Sequence, residues 1–434
     1  MLSHAFPTIL ATHLLIMKSY FLSVLLFCSG LFCAQQLAFP GAQGFGRFAS
    51  GGRAGVTYHV TNLNDNGEGS FRDAVSESGR TVMFDVAGVI RIKNKIKAAP
   101  GITIAGQTAP GTGITVYGNG ISFGSNTIVR YIRFRGSIDM PKGACTVVAD
   151  DLKDIIFDHV SIEWGRWDNL HIKNSSNIKL QYCLIGEGID PQRFGALLEN
   201  PVDVTVYHSL WTGNQSRSPK AKAKIEYINN VVYNWGKSAF VGGHSATDHY
   251  QDLVGNYFIA GPSSTEEFLS MFTATDHVYH RNNFADLNKD GKLNGRTITD
   301  EDFIKQSATL VKTPSSILQS NVKITTAEDA VKVVMDEAGC SLKRDMVDQR
   351  IISYFKSLGT KGFIFKTESA AGGQPEVRME ISKLKDNDKD GIPDRWERKS
   401  KLNPKDSSDG MAITVNGYSN LENYNNSLVS SRIK

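Results

Sequence analysis

Cysteine is scarce in this chain: five among 434 residues, two of them (Cys28 and Cys33) inside an apolar leader. The remaining three, Cys145, Cys183 and Cys340, are odd in number and show no Cys-x-x-Cys spacing. Nothing here supports a disulfide framework, and three buried thiols are expected. Long apolar runs are missing too. The run from Tyr20 to Phe32, behind Met17-Lys18, is too short to span a bilayer comfortably and has the form of a signal peptide. Cleavage is expected after Ala34, with export to the periplasm or the medium and no membrane attachment afterwards. Net charge is small, +4 from 48 basic and 44 acidic residues. That permits an acidic partner and gives no ground for nucleic-acid binding.

What the chain does have is a repeat. Short β-rich triplets recur: Ile102-Thr103-Ile104, Ile128-Val129-Arg130, Ile155-Ile156-Phe157, Ile178-Lys179-Leu180, Val204-Thr205-Val206, Ile225-Glu226-Tyr227, Leu253-Val254-Gly255 and Val278-Tyr279-His280. Counted from their first residues, the steps are 26, 27, 23, 26, 21, 28 and 25. A period in that range marks a solenoid whose units cannot bury an apolar face alone. The triplets are too short for amphipathic helices and too β-branched for loops. Asn126, Asn177, Asn230, Asn256 and Asn282 fall near one phase, which suits stacked turns because asparagine tolerates left-handed backbone. The fold class expected is all-β: a right-handed parallel β-helix, whose long groove suits an extended polymer.

Four regions are expected: a leader over 1–34, the β-helix over 35–285, a helical extension over 286–384, and a C-terminal module over 385–434. Gly69 to Val75 reads as a short helix capping one end of the shaft. In the extension, Thr326 is placed to cap a helix through Gly339 with Ala330, Val333, Val334 and Ala338 on one face. Arg344 to Leu358 reads as a second helix with Met346, Ile351, Ile352 and Phe355 apolar.

The C-terminal module carries the sharpest local motif. Asp386, Asp388, Asp390, Asp394 and Glu397 occupy positions 1, 3, 5, 9 and 12 of a loop with Gly391 at position 6. With the Ile392 carbonyl at position 7, that spacing wraps oxygens around Ca2+. A structural role is expected for this ion. Asp286-Leu287-Asn288-Lys289-Asp290-Gly291 begins alike, but Thr297 stands where the bidentate acid belongs.

Three shaft segments, Phe157-Asp158-His159-Val160-Ser161, Arg217-Ser218-Pro219-Lys220-Ala221-Lys222 and Asn229-Asn230-Val231-Val232-Tyr233-Asn234-Trp235, stand out. With Phe39-Pro40-Gly41-Ala42-Gln43-Gly44-Phe45-Gly46 and Ala105-Gly106-Gln107-Thr108-Ala109-Pro110-Gly111, they resemble polysaccharide lyase family 1, the pectate and pectin lyases. The resemblance covers roughly Ala38 to Pro262. The region beyond looks like the C-terminal extension of secreted bacterial members. The resemblance implies β-elimination on an acidic polysaccharide, pectate or pectin; a capped shaft is itself expected to be monomeric. A base removes the galacturonate C5 proton and the 4-O bond breaks, so base and positive charge must meet at the uronate.

Carried over residue by residue, the family's base falls on Arg217, its second arginine on Lys222, and its substrate-binding lysine on Arg193. Arginine is a reluctant base, being almost always protonated, so a bidentate clamp on a substrate carboxylate is the alternative role for Arg217. Trp167, Arg166 and Lys220 are candidate substrate-binding residues. The family's groove calcium acids fall on Gly143, Cys145, Trp167 and His171, none of them acidic. Asp168, next in sequence, is the one candidate groove ligand. Otherwise Arg166 and Lys142 stand in for the metal as in calcium-independent pectin lyases, with Trp164, Trp167 and Trp211 as stacking surface. A hydrolase would need suitably paired carboxylates, which are absent from the motifs. A noncatalytic glycan-binding shaft stays open.

Overall fold

Each coil spends its apolar residues inward and its turn residues at the corners. In the computed structural model, which describes residues 35–53, 55–315 and 320–430, three sheets result. They contain eleven, eight and eleven strands, and every shaft pairing from Val56 to Asp286 is parallel. The expected leader lies outside the described residues. No helix among these residues is long and apolar enough to cross a membrane.

The first sheet takes up all eight triplets, Ile102 and Gly255 alone falling one residue outside their strands, from Thr103–Ala105 to Asp276–Arg281. Their alignment shows how a solenoid core is made. Val129 pairs with Phe157, Phe157 with Leu180, Leu180 with Val206, and Val206 with Tyr227. All five are buried. Each such aliphatic side chain contributes roughly 1.5–3 kcal/mol of burial, and stacking like on like repeats that gain at every coil. The asparagines divide into two kinds. Asn126, Asn177 and Asn282 turn corners with φ of 56°, 54° and 54°. Asn230 and Asn256 instead form an internal ladder with Asn283. The Asn230 amide N donates to Asn256 Oδ1 at 2.8 Å, and the Asn256 amide N to Asn283 Oδ1 at 2.9 Å.

The glycine-dense opening lies against the outside of this sheet. A Cβ on Gly46 would stand 2.5 Å from the Ile155 carbonyl oxygen, so only glycine allows that approach. Phe71–Ala74 is helical, capped by Ser70, with Phe71 and Ala74 buried in the shaft core.

The helices Ala327–Glu337 and Met346–Phe355 begin at Thr326 and Asp345, whose side chains accept from Asp329 N and Asp348 N. They pack on the third sheet against Leu184, Leu210, Val231 and Tyr257. The expected faces are buried at Ala330, Val334 and Ala338 and at Ile351, Ile352 and Phe355, and differ at one position in each helix. Val331, rather than Val333, is buried, and Met346 is 70% exposed while Val347 and Asp348 turn inward. Shaft, helices and C-terminal segment share one compact unit. Cys145, Cys183 and Cys340 are free and buried.

Candidate active site

The second sheet is the open one, and alternation along its strands decides what a polymer would meet. Val147, Ala149, Leu170, Ile172, Ala196, Leu198 and Ala221 point into the core. Outward, one row runs Val148, His171, Leu197 and Lys220, ending on the buried Val241, and a second runs Asp150, Lys173, Glu199 and Lys222. Lys220 and Lys222 therefore stand two residues apart on the floor, with His171 Nε2 3.2 Å from Glu199 Oε2 beside them. Burial, then the neighbouring Arg217 and Lys222 charges, lowers the Lys220 pKa.

Arg217 enters this floor from the turn before Lys220–Lys222. Its φ is +62°, a conformation non-glycine residues rarely hold. The guanidinium lies over the Phe194 ring, Cζ 4.0 Å from the centroid. Its Nη1 donates to Asp168 Oδ1 at 3.2 Å and Oδ2 at 3.1 Å. Asp168 has no exposed surface, and burial, opposed by Arg217, pushes its pKa up to about 7. A buried asparagine pair fixes the turns on either side. Asn169 Nδ2 donates to Asn214 Oδ1 at 3.1 Å, and Asn214 Nδ2 to Ser218 Oγ at 3.3 Å.

The other expected residues are placed differently. Arg193 forms an ion pair with Asp190, Nε to Oδ1 at 3.1 Å. Arg166 donates to the carbonyls of Asp190 at 2.9 Å and Met140 at 2.6 Å, which ties down the groove wall. Trp167 is 39% exposed and lies across Gly143. Trp164 and Trp211 are fully buried and offer no stacking surface. Motif matching did not single out Lys173, Glu199 or Phe194 and took His171 only as a lost metal position; alternation from Leu170 inward puts His171 and Lys173 on one face, and strand register adds Glu199.

At the C-terminal loop, Asp386, Asp388 and Asp390 converge, each offering an oxygen within 4.8 Å of the others. Asp390 and Glu397 converge in the same way with Asp409, a residue outside the expected loop. Both oxygens of Asp388 and of Glu397, with Asp390 Oδ2 and Asp409 Oδ1, are buried and receive no hydrogen bond. Burial and the surrounding carboxylates push Asp390 and Glu397 up to about 7. Asp394 stands apart, accepting from Asn387 N at 2.9 Å and Asn387 Nδ2 at 2.8 Å. At the second acidic loop the side chains satisfy one another: Asn294 Nδ2 donates to Asp290 Oδ2 at 3.1 Å, and Asn288 Nδ2 to Asn294 Oδ1 at 2.7 Å.

No family model matches the chain. Curated relatives do. A probable pectate lyase C of Neosartorya fischeri is 41% identical over 399 residues, 91% of this chain and 94% of that protein. Its counterpart in Aspergillus terreus is 41% identical over 401 residues, with the same two shares. The chain belongs to the pectate lyase family. Among solved structures, a thermostable pectate lyase is 12% identical with a TM-score of 0.52, covering 73% of this chain and 100% of that one. A pectate lyase bound to a hexasaccharide is 13% identical with a TM-score of 0.50, covering 72% and 99%. At those identities the likeness shows the parallel β-helix. The relatives that share about 40% identity are fungal, so the resemblance to bacterial members finds no support in them.

The positions onto which the sequence resemblance carries the groove calcium do not fit a hard cation. Gly143, Cys145, Trp167 and His171 bring no carboxylate, and Asp168 is held by Arg217. Among the described residues, the three-ligand groups lie in the C-terminal module only. There the donor set does suit a hard cation, since several buried, anionic oxygens lack any other partner.

Proposed function

We propose that this protein is an exported lyase that cleaves (1→4)-α-galacturonan by β-elimination, releasing unsaturated oligogalacturonides. The observation that carries the reading is the 41% identity to a probable pectate lyase C across 91% of the chain. The outward-facing Lys220 and Lys222, in neighbouring rows beside Arg217, support this reading by offering the positive charge that a polyuronate needs. Arg217 is the proton acceptor toward C5. Lys222, Lys220 and Arg193 bind uronate carboxylates, Trp167 offers an exposed ring to the sugar, and Arg166 holds the groove wall. The C-terminal loop binds Ca2+ structurally; no step of the elimination passes through it.

A second reading has its own observation. Asp168 contacts Arg217 through both oxygens, an arrangement that stabilises a guanidinium cation. Arg217 then stays protonated and clamps the C6 carboxylate, which acidifies C5–H. Arg217→Ala separates the two. As acceptor, its loss abolishes turnover while polymer affinity persists; as clamp, it raises KM together with the fall in kcat.

The founding experiment follows the ultraviolet absorbance of unsaturated uronate on polygalacturonate and on highly methylated pectin. Product on polygalacturonate supports the reading. Product on methylated pectin alone assigns the groove to esterified substrate. No product on either leaves a glycan-binding shaft and ends the lyase proposal.

A further inference from the structure

The C-terminal carboxylates do not form the simple twelve-residue loop that their spacing suggests. Position 9, Asp394, spends both oxygens on Asn387. In its place Asp409 brings Oδ1 to the cluster, unpartnered and buried, while its Oδ2 accepts from Asn403 N at 2.8 Å. The approach is close enough that a Cβ on Gly410 would stand 2.1 Å from Asp390 Oδ2. Glu397 has no exposed surface and neither of its oxygens has a donor. Buried carboxylates gathered in this way are costly without a countercharge.

The same loop is bonded to the start of the shaft. Thr57 Oγ1 donates to the Asp390 carbonyl at 2.6 Å. Ile392 is fully buried in a cluster with Met83, Ala105 and Leu421. Whatever orders the loop therefore orders its seat on the first coils.

We infer that Asp409, not Asp394, is a ligand of the cation, so that one ion clamps the 386–397 loop to the 403–410 turn and fastens the C-terminal module to the first strands of the shaft. The inference rests on the reading of this loop as a calcium site.

Terbium is the probe, because Trp396 lies within the loop and can sensitise its luminescence. The mature full-length protein is titrated with Tb3+ and the ion is then displaced with calcium, for wild type, Asp409→Asn and Asp394→Asn. The expected result is binding by wild type, a loss of at least about tenfold in affinity for D409N, since ligand charge count sets affinity, and a change under about threefold for D394N. Calcium should raise the melting temperature of wild type and of D394N but not of D409N. Without metal, D409N should melt no lower than wild type, because it removes one repelling charge. Absence of terbium binding by wild type would overturn the calcium reading and the inference together. Wild-type binding with D409N unaffected, or with D394N losing as much as D409N, would overturn the inference alone. So would a metal-free D409N that melts below metal-free wild type, which would make Asp409 a structural acceptor.

Discussion

Arg217 Nη1 lies 3.1 and 3.2 Å from the two oxygens of Asp168, a carboxylate with no exposed surface. This pair fixes the one cation that the lyase reading cannot do without. Asp168 touches Arg217 from beneath and is walled off from the groove, so it is a positioning residue. Asp168→Asn keeps the shape and removes the charge. Turnover should fall by at least about tenfold, equivalent to ~1.4 kcal/mol of transition-state stabilisation. The pH profile of kcat should change near neutrality, because Asp168, whose pKa is raised to about 7, no longer titrates there. A D168N enzyme with unchanged kcat and unchanged pH profile would remove Asp168 from the mechanism.

Trp167 tests the groove from its wall. Its ring is 39% exposed and lies over Gly143, so little packing depends on it. Trp167→Ala should raise KM for polygalacturonate severalfold, as loss of a sugar-stacking ring does. Stability should stay within about 0.5 kcal/mol, as for surface substitutions generally. Steady-state kinetics and urea melts together check it. A large loss of stability with unchanged KM would make the ring a packing element.

Much of this was readable in the sequence, and the reason is physical. A solenoid repeats one solution, so triplets such as Ile178-Lys179-Leu180 and Val204-Thr205-Val206 announce both the strand and its inward face. Arg217 and Lys222 were nominated through the family resemblance, because a motif carried by adjacent residues can be matched without knowing the fold. Asp168 and Arg217 lie 49 positions apart and meet only when strands two coils apart are brought near each other, so Asp168 read as a metal candidate. Asp409 was invisible for the same reason. The loop spacing nominated Asp394; the chain returning from 403 to 410 brings Asp409 beside Asp390 and Glu397, which no local spacing announces. Helix faces were read correctly at Ala330, Val334, Ala338, Ile351, Ile352 and Phe355 and missed at Val333 and Met346.

The third sheet holds its helices by charge, and that is open to measurement. Arg135, fully buried, places Nε 2.9 Å from Glu163 Oε2 and Nη2 2.9 Å from Asp348 Oδ1. Arg133 Nε lies 3.0 Å from Asp348 Oδ2. Asp348→Ala leaves two buried guanidiniums short of a partner. The expected loss is about 3–5 kcal/mol, the cost of breaking a buried pair from one side. Met346→Ala, two residues away and 70% exposed, should cost under about 0.5 kcal/mol. Equal effects in urea denaturation would show that the network contributes nothing beyond ordinary helix packing.

His208 sets an acid limit on the fold. It is buried, its Nδ1 has no partner, and its ring lies 4.0 Å from that of Tyr207 and 5.5 Å from that of Tyr182. Thr325 Oγ1 is 3.5 Å from Nε2. Burial first, and then the Lys179 charge, lowers its pKa from 6.5 to about 3. Between those values the unfolded chain binds the proton and the folded chain does not. Stability therefore falls as pH falls through that window, by at most ~1.4 kcal/mol per pH unit. Asp168 and Glu226, each raised to about 7, act with the opposite sign over part of the same range. The wild-type slope is thus a sum, and the comparison with His208→Asn isolates one component. Asparagine suits the left-handed φ of 44° at this position and does not titrate. Melts at successive pH values should show H208N gaining on wild type as the medium is acidified. Parallel curves would mean that His208 takes up its proton within the fold as readily as it does in water.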